Sequence, residues 1–298
     1  MGVDTSRLVL GTAQLGMNYG IANVAGRPGR EIARAIVYEA FQGGVREFDT
    51  AQDYGDAESV LGAVFTELGI EGEVRVITKP DPGLDHTDPE ALRSCVQASL
   101  DRLNIPRLHG LLLHREASLE DWERGLGDGL AALVIEGLVE RVGVSVYSPA
   151  AALKALNTEN IRLLQLPGNL LDRRFERAGV FALAAERGVT IHVRSVFLQG
   201  ILLMKPGEVP SSMPEAAKVV TRVAALAAEF GLDLPTIALA FVRQGLPATR
   251  VLFGAETVEQ VRSNLKSWQT QVSADLSQRI RDCFADISEN VLNPTLWK

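Results

Sequence analysis

The chain has 298 residues, with 30 lysine and arginine side chains against 37 aspartate and glutamate, a formal net charge of −7. That balance speaks against a whole-surface nucleic-acid binder, which would usually be basic, and leaves room for a small basic pocket around one phosphorylated coenzyme. Two cysteines, Cys95 and Cys283, without a C-x-x-C pair argue against a disulfide scaffold and a zinc–thiolate site. No stretch approaches the ~20 continuous apolar residues of a membrane span. The first residues lack a basic region followed by a long apolar run. The expectation is therefore a cytoplasmic protein, a monomer or small homo-oligomer, with neither membrane nor nucleic acid as partner.

Residues 7–13 read as the first strand. Ile32, Ala35, Ile36 and Ala40, near helical spacing, predict a helix over 31–42 that stops at Gly43-Gly44. A strand at 47–51 leads to a helix at 57–68, with Asp56 as its expected N-cap. After a strand at 74–80, Asp88-Pro89-Glu90 opens the next helix with a capping residue and a first-turn proline. The pattern continues with strands at 108–114, 141–147, 161–167, 189–196 and 250–254. Helices are expected at 119–136, 149–155, 175–187, 214–229, 235–244 and 258–266, and an extra packing helix at 275–286. The stretch 200–212 is the least regular and reads as a mobile loop at the barrel mouth.

Most of the eight strands are rich in Val, Ile and Leu without strict alternation, as parallel strands covered on both faces are. Strand followed by helix, eight times, predicts an α/β fold of the (β/α)8 TIM-barrel type spanning residues 1–298 as one domain. An open dinucleotide-binding sheet often carries G-x-G-x-x-G after its first strand. The segment Gly11-Thr12-Ala13-Gln14-Leu15-Gly16 does not fit that spacing.

In such barrels functional groups gather at the C-terminal ends of the strands. Asp49, Lys79 and His114 occupy those ends on three neighbouring strands, and Tyr54 follows the second. An Asp and a Lys on hydrophobic strands are costly unless paired, and each is the other's simplest partner. A nearby ammonium would lower the proton affinity of Tyr54. His114 would exchange a hydrogen bond with a substrate oxygen. The set suits carbonyl reduction, with hydride from a coenzyme. His86, His109 and His192 fit no metal set.

At these residues the chain resembles the aldo-keto reductases, in the manner of a bacterial member. The resemblance runs through Gly11-Thr12, Asp49 to Gly55, Lys79, His114, Gly143-Val144-Ser145, Gln165, and Gly254-Ala255 through Gln260 to Asn264. It implies a nicotinamide coenzyme, NADP(H) in preference to NAD(H), a small-molecule carbonyl substrate, and a catalytic tetrad of Asp49, Tyr54, Lys79 and His114. It also implies that Ser145 and Gln165 bind the carboxamide, with Asn169 as a possible substitute for the Asn often found where this chain has Val146. Arg194 stands where many relatives stack an aromatic ring on the nicotinamide; it either stacks there or faces substrate. Ser195, Phe197, Gln199 and Gly200 belong to the pyrophosphate segment. Gly254 and Thr257 open a helix N-terminus suited to an anion.

Many relatives grip the 2′-phosphate with a basic pair where this chain has Gly254 and Gln260. Arg262, Lys266 and Lys205 are the candidates to compensate, whereas an inward Glu256 would favour the unphosphorylated ribose. Asn264 faces the adenine end. Met17, Asn18, Tyr19, Trp122 and the segment 296–298 are the expected substrate walls, and residues 1–7 are short for the hairpin that closes the barrel bottom in some relatives. Two rival readings remain. One is a coenzyme-binding regulatory protein of the same fold, against which the intact tetrad speaks. The other is a barrel hydrolase or isomerase, against which the segment 254–264 speaks.

Overall fold

The computed structural model describes residues 4–246 and 249–297. Eight parallel strands close into a barrel in sequence order. They are β1 (Leu8–Gly11), β2 (Glu47–Asp49), β3 (Arg75–Thr78), β4 (Gly110–Leu113), β5 (Val142–Ser145), β6 (Ile161–Pro167), β7 (Thr190–Arg194) and β8 (Arg250–Phe253). β8 returns to β1, with Leu10 opposite Phe253. The predicted (β/α)8 barrel is therefore present. Most strands are shorter than expected, because chain that continues the apolar run beyond the ladder turns out to carry the site.

Register places the functional ends side by side. Gly11 lies opposite Asp49, Asp49 opposite Ile77, and Ser145 opposite Gln165. The barrel interior is filled in layers, as such barrels require. Ile77, Leu112 and Leu163 make a small apolar plug at mid-height. Gly110 faces it, where a Cβ would stand 2.4 Å from a Leu163 methyl. Below the plug, buried Glu47 is hydrogen-bonded to buried His192. Above it sit Asp49, Lys79 and Gln165.

The helices form where their apolar faces meet the barrel's outer surface. Ala57–Leu68 and Pro214–Glu229 have the predicted bounds. Asp88 accepts from the backbone N–H groups of Glu90 and Ala91, as its capping role requires. Asp56 stands at the N-cap of its helix as expected, but its side chain makes no capping hydrogen bond, since the carboxylate pairs with Arg27 at 2.6 Å. The long helix expected at 119–136 breaks at Gly125, φ 109°, into a 3-10 segment Glu116–Arg124 and a helix Leu126–Ile135. Likewise 175–187 is interrupted at Gly179, φ 74°, before Val180–Arg187. Glycine enters this left-handed region at little cost, so the helical periodicity on either side conceals the break. The extra helix is shorter than expected, Leu276–Cys283.

The expected mobile loop at 200–212 contains helical turns instead, Leu198–Leu203 and Pro206–Glu208. Leu198, Ile201, Leu202 and Val209 are buried there, which pins the segment to the body. At the barrel bottom, Arg7 donates to the carbonyls of Thr249 and Leu246 and lies over the Trp268 ring. Among the described residues no single helix is long and apolar enough to cross a membrane.

Candidate active site

The floor of the site is a buried ion pair. Lys79 Nζ donates to Asp49 Oδ1 at 2.7 Å and to the Thr50 carbonyl at 2.8 Å. The two side chains are 1% and 4% exposed, so neither charge has water to lean on. The other Asp49 oxygen accepts from Gln165 Nε2 at 2.7 Å, and Ser145 Oγ donates to Gln165 Oε1 at 3.4 Å. Thr12 ties β1 to the same corner through its hydroxyl and its N–H, both to the Asp49 carbonyl. Both Asp49 carboxylate oxygens are thus hydrogen-bonded, as burial of the charge requires.

Tyr54 stands over this floor, its ring centroid 4.9 Å from Lys79 Nζ. The His114 ring meets it edge-on with centroids 5.9 Å apart. His114 Nδ1 is buried and has no partner within the protein. Burial, then the charge of Lys79, push the His114 proton affinity down to about 4, so the imidazole is neutral at pH 7. All four tetrad residues expected from the sequence converge.

One electrostatic expectation fails. Burial, reinforced by the Asp49 carboxylate, raises the Tyr54 proton affinity above its ordinary value instead of lowering it. The Lys79 ammonium is turned toward Asp49 and Thr50 and makes no hydrogen bond to the phenol. Burial likewise lowers the Lys79 value, against the opposing pull of Asp49. Tyr54 is therefore a neutral phenol.

A cleft of about 1240 Å³, counted with its open mouth, runs from Asp49 and Tyr54 across Gly11 and Thr12 to Gln260 and Asn264. Gln165, Arg194, Ser195, Phe197, Gln199, Gly200 and Gly254 also line it. Ser145 lies just behind, buried against Gln165. Ser195, Leu198 and Gln199 all have φ between 50° and 60°, a left-handed run that residues with a Cβ rarely adopt. It turns the segment across the cleft, where the Gln199 carbonyl accepts from the N–H groups of Ile21 and Ala22. Two N–H groups of this segment are already engaged within it, Leu198 to Ser195 and Gly200 to Phe197.

At the far end Thr257 caps the helix Val258–Gln269 by accepting from the Gln260 N–H. The Gln260 side chain folds back, accepting from the Glu256 N–H at 2.6 Å and donating to the Glu256 carboxylate at 3.3 Å. A Cβ on Gly254 would stand 2.3 Å from the Gln14 amide nitrogen, so a side chain there would displace the end of Gln14.

Several sequence expectations are corrected by these placements. Arg262 pairs with Glu39 at 2.9 Å and the exposed Lys205 with Glu208, and neither lines the cleft. Nor does Lys266. Asn169 accepts from the N–H groups of Leu171 and Asp172 and donates to the Ser195 carbonyl; it is a buried turn residue outside the cleft lining. Trp122 packs on Gly127, and Trp297 donates to the Asn290 carbonyl, both away from the cleft lining. Lys298 lies outside the described residues. Two contributors were not foreseen. Gln14 occupies the space beside Gly254, and Tyr147 lies 4.0 Å beneath the Arg194 guanidinium. Neither carried a periodicity or spacing signal of its own.

A model of the aldo/keto reductase family matches residues 7–285. The chain belongs to the aldo/keto reductase family. It is similar to a D-threo-aldose 1-dehydrogenase of a Pseudomonas species, at 26% identity over 96% of each chain. It is also similar to an NADH-specific methylglyoxal reductase of Escherichia coli, at 24% identity over 91% of this chain and 92% of that one. An aldo-keto reductase from Bacillus halodurans in its holo form shares the fold, with TM-score 0.76, 22% identity and coverage of 98% and 99%. One from Klebsiella pneumoniae, solved with NADP and acetate, superposes with TM-score 0.73 at 21% identity over 93% of this chain and 91% of that one. Members of this family are oxidoreductases using NAD(P)H, and NAD(P)H-dependent carbonyl reduction is the class of reaction to which the chain belongs.

Proposed function

We propose that this chain, taken as one catalytic unit over residues 1–298, reduces an aldehyde or ketone of sugar-like character to an alcohol, with Tyr54 as proton donor. The observation that carries the reading is the buried Asp49–Lys79 pair beneath a proton-bearing Tyr54, beside a His114 nitrogen without a partner. The names of the similar proteins, an aldose dehydrogenase and a methylglyoxal reductase, support a short polar carbonyl substrate.

The residues present fit a dinucleotide. The cleft is long, carries a carboxamide partner at one end and a capped helix start at the other, and is kept open by Gly254. Gln165 would hold the carboxamide, beside Gly11 and Thr12, with Ser145 behind it orienting its amide. Ser195, Phe197, Gln199 and Gly200 would follow the pyrophosphate, and Gly254, Thr257, Gln260 and Asn264 the adenosine. NAD(P)H supplies the hydride when bound. Tyr54 gives its proton to the carbonyl oxygen as the carbon–oxygen π bond breaks. His114, neutral, would donate a hydrogen bond to that oxygen from its accessible Nε2, and Lys79, anchored by Asp49, would provide a positive potential under the phenol as its oxygen becomes negative.

The NADPH preference implied by the family resemblance is small here. No lysine or arginine stands at the adenosine end of the cleft lining among the described residues, and the Glu256 carboxylate does. The helix N-terminus at Thr257 still offers backbone donors to a phosphate. Both coenzymes are therefore expected to serve. Quenching of tryptophan fluorescence by NADPH and by NADH, followed by loss of coenzyme absorbance with a panel of aldehydes, tests the reading. Turnover supports it. Tight binding without turnover across the panel would point to a regulatory protein, and no binding to a barrel without redox chemistry.

A further inference from the structure

The mouth of the site holds a cation that the reductase mechanism does not use. Arg194 ends β7, opposite Pro167, and lines the cleft together with Tyr54 and Tyr19. Its guanidinium is stacked on Tyr147 at 4.0 Å. One nitrogen donates to the Val146 carbonyl at 3.3 Å, and another to its neighbour's hydroxyl, Ser195 Oγ, at 3.4 Å. Both bonds are long and both acceptors are neutral. Among the described residues no carboxylate pairs with it, although the partly buried Arg102, Arg174 and Arg281 each have one. A guanidinium has five N–H donors in a planar fork, so Arg194 retains donors for a ligand.

The surrounding charges leave it unbalanced. Lys79 and Asp49 cancel one another. His114 is neutral, and the Tyr19 phenol is pushed up to about 12 by burial. Asp53 is exposed to solvent and forms no ion pair with Arg194. The charge of Arg194 is felt at Tyr54, Lys79, His114 and Tyr19. These groups surround the reacting carbonyl and not the adenosine end. A stacked, weakly bonded guanidinium is also pre-oriented, so little side-chain entropy is lost when it takes up an oxyanion.

We infer that Arg194 is the specificity determinant of the substrate site, and that the substrate is an anionic carbonyl compound whose carboxylate or phosphate the guanidinium receives in a forked hydrogen bond. This rests on the reductase reading and names its substrate class. The carbonyl oxygen sits at Tyr54 and His114, and the anionic end of the molecule reaches Arg194, within the ring of Tyr19 and Tyr147.

Paired substrates test it: succinic semialdehyde against butanal, and glyceraldehyde 3-phosphate against glyceraldehyde, each in the wild type, Arg194→Met and Arg194→Lys. Coenzyme Kd is measured alongside. A charge-assisted contact corresponds to about ten- to a hundredfold in affinity. The wild type should favour one anionic member by that factor in kcat/KM. Arg194→Met should abolish the preference chiefly through KM, Arg194→Lys should restore part of it, and coenzyme Kd should stay within about twofold. Equal use of charged and neutral partners by the wild type would overturn the proposal. So would an Arg194→Met loss confined to coenzyme Kd, which would give the guanidinium to the dinucleotide. If no aldehyde is reduced at all, the reductase reading itself fails. Calorimetry with succinate then decides the anion site: binding that disappears in Arg194→Met retains it, and no binding rejects it.

Discussion

The roles proposed for Tyr54 and Lys79 are separable, and single substitutions distinguish them. Tyr54→Phe removes the proton while keeping the ring that packs against His114. Carbonyl reduction should fall by about 10²–10⁴-fold, with coenzyme Kd nearly unchanged. A variant retaining most of its activity would remove Tyr54 from the donor role. Lys79→Met leaves the Asp49 carboxylate buried with only Gln165 as side-chain donor. Breaking a buried pair from one side costs about 3–5 kcal/mol, so the melting temperature should drop as well as the rate. Unchanged stability would show that Asp49 and Lys79 are not coupled.

The elements hold these residues through contacts between backbones. The turn Ala13–Gly16 packs against the loop that carries Tyr54, and a Cβ on Gly16 would lie 1.8 Å from the Tyr54 carbonyl oxygen. Gly55, φ 59°, returns the contact from the other side, its missing Cβ 2.4 Å from the Gly16 carbonyl. Backbone cannot swing aside as a flexible side chain can. Gly16→Ala should therefore displace Tyr54, lowering kcat and destabilising the fold by about 1–3 kcal/mol or more, the usual cost of overpacking. Wild-type kcat and melting temperature in this variant would mean that the loop accommodates the methyl.

At the opposite end, the proposed adenosine site at the start of the helix Val258–Gln269 makes a prediction about coenzyme choice. Gln260→Arg should strengthen NADPH over NADH by about ten- to a hundredfold, the worth of one charge-assisted contact. Glu256→Gln should move the ratio the same way by removing the carboxylate beside it. Dissociation constants for both coenzymes decide the matter, and a ratio unmoved by either change would place the 2′-position elsewhere.

Across the whole molecule, pH acts on two buried groups, the carboxylate at the barrel bottom and the imidazole at the mouth. Burial raises the proton affinity of Glu47, but the hydrogen bond and charge of His192 outweigh it, and the net shift is downward. A carboxylate depressed in the folded state adds stability above its unfolded value of ~4.3 and loses it as pH falls through the folded value. His114, lowered to about 4, acts in the same direction. Its neutral form is favoured by folding, so stability declines from about pH 6.5 downward. Glu47→Gln should reduce stability at neutral pH by about 1–3 kcal/mol and flatten the acid limb of melting temperature against pH. An unaltered acid limb would remove Glu47 from that role.

The barrel was legible in the sequence, and so was the gathering of Asp49, Tyr54, Lys79 and His114 at one end of it. Eight apolar runs alternating with amphipathic segments require covered parallel strands, and polar residues at strand ends have few other places to go. Local pattern also found helix starts where a capping residue answers the nearest N–H groups, as Asp88 and Thr257 do. It failed where the deciding partner is far along the chain. Asp56 stands at the cap, but its carboxylate is taken by Arg27. Lys79 reads as lowering the Tyr54 proton affinity, yet burial decides the sign. The would-be phosphate ligand Arg262 pairs elsewhere, on Glu39. Gln14 beside Gly254 and Arg194 on Tyr147 exist only once the barrel closes. Periodicity and capping act between near neighbours and are written in sequence order. Desolvation and the pairing of charges depend on which side chains share a volume, and tertiary structure alone determines that.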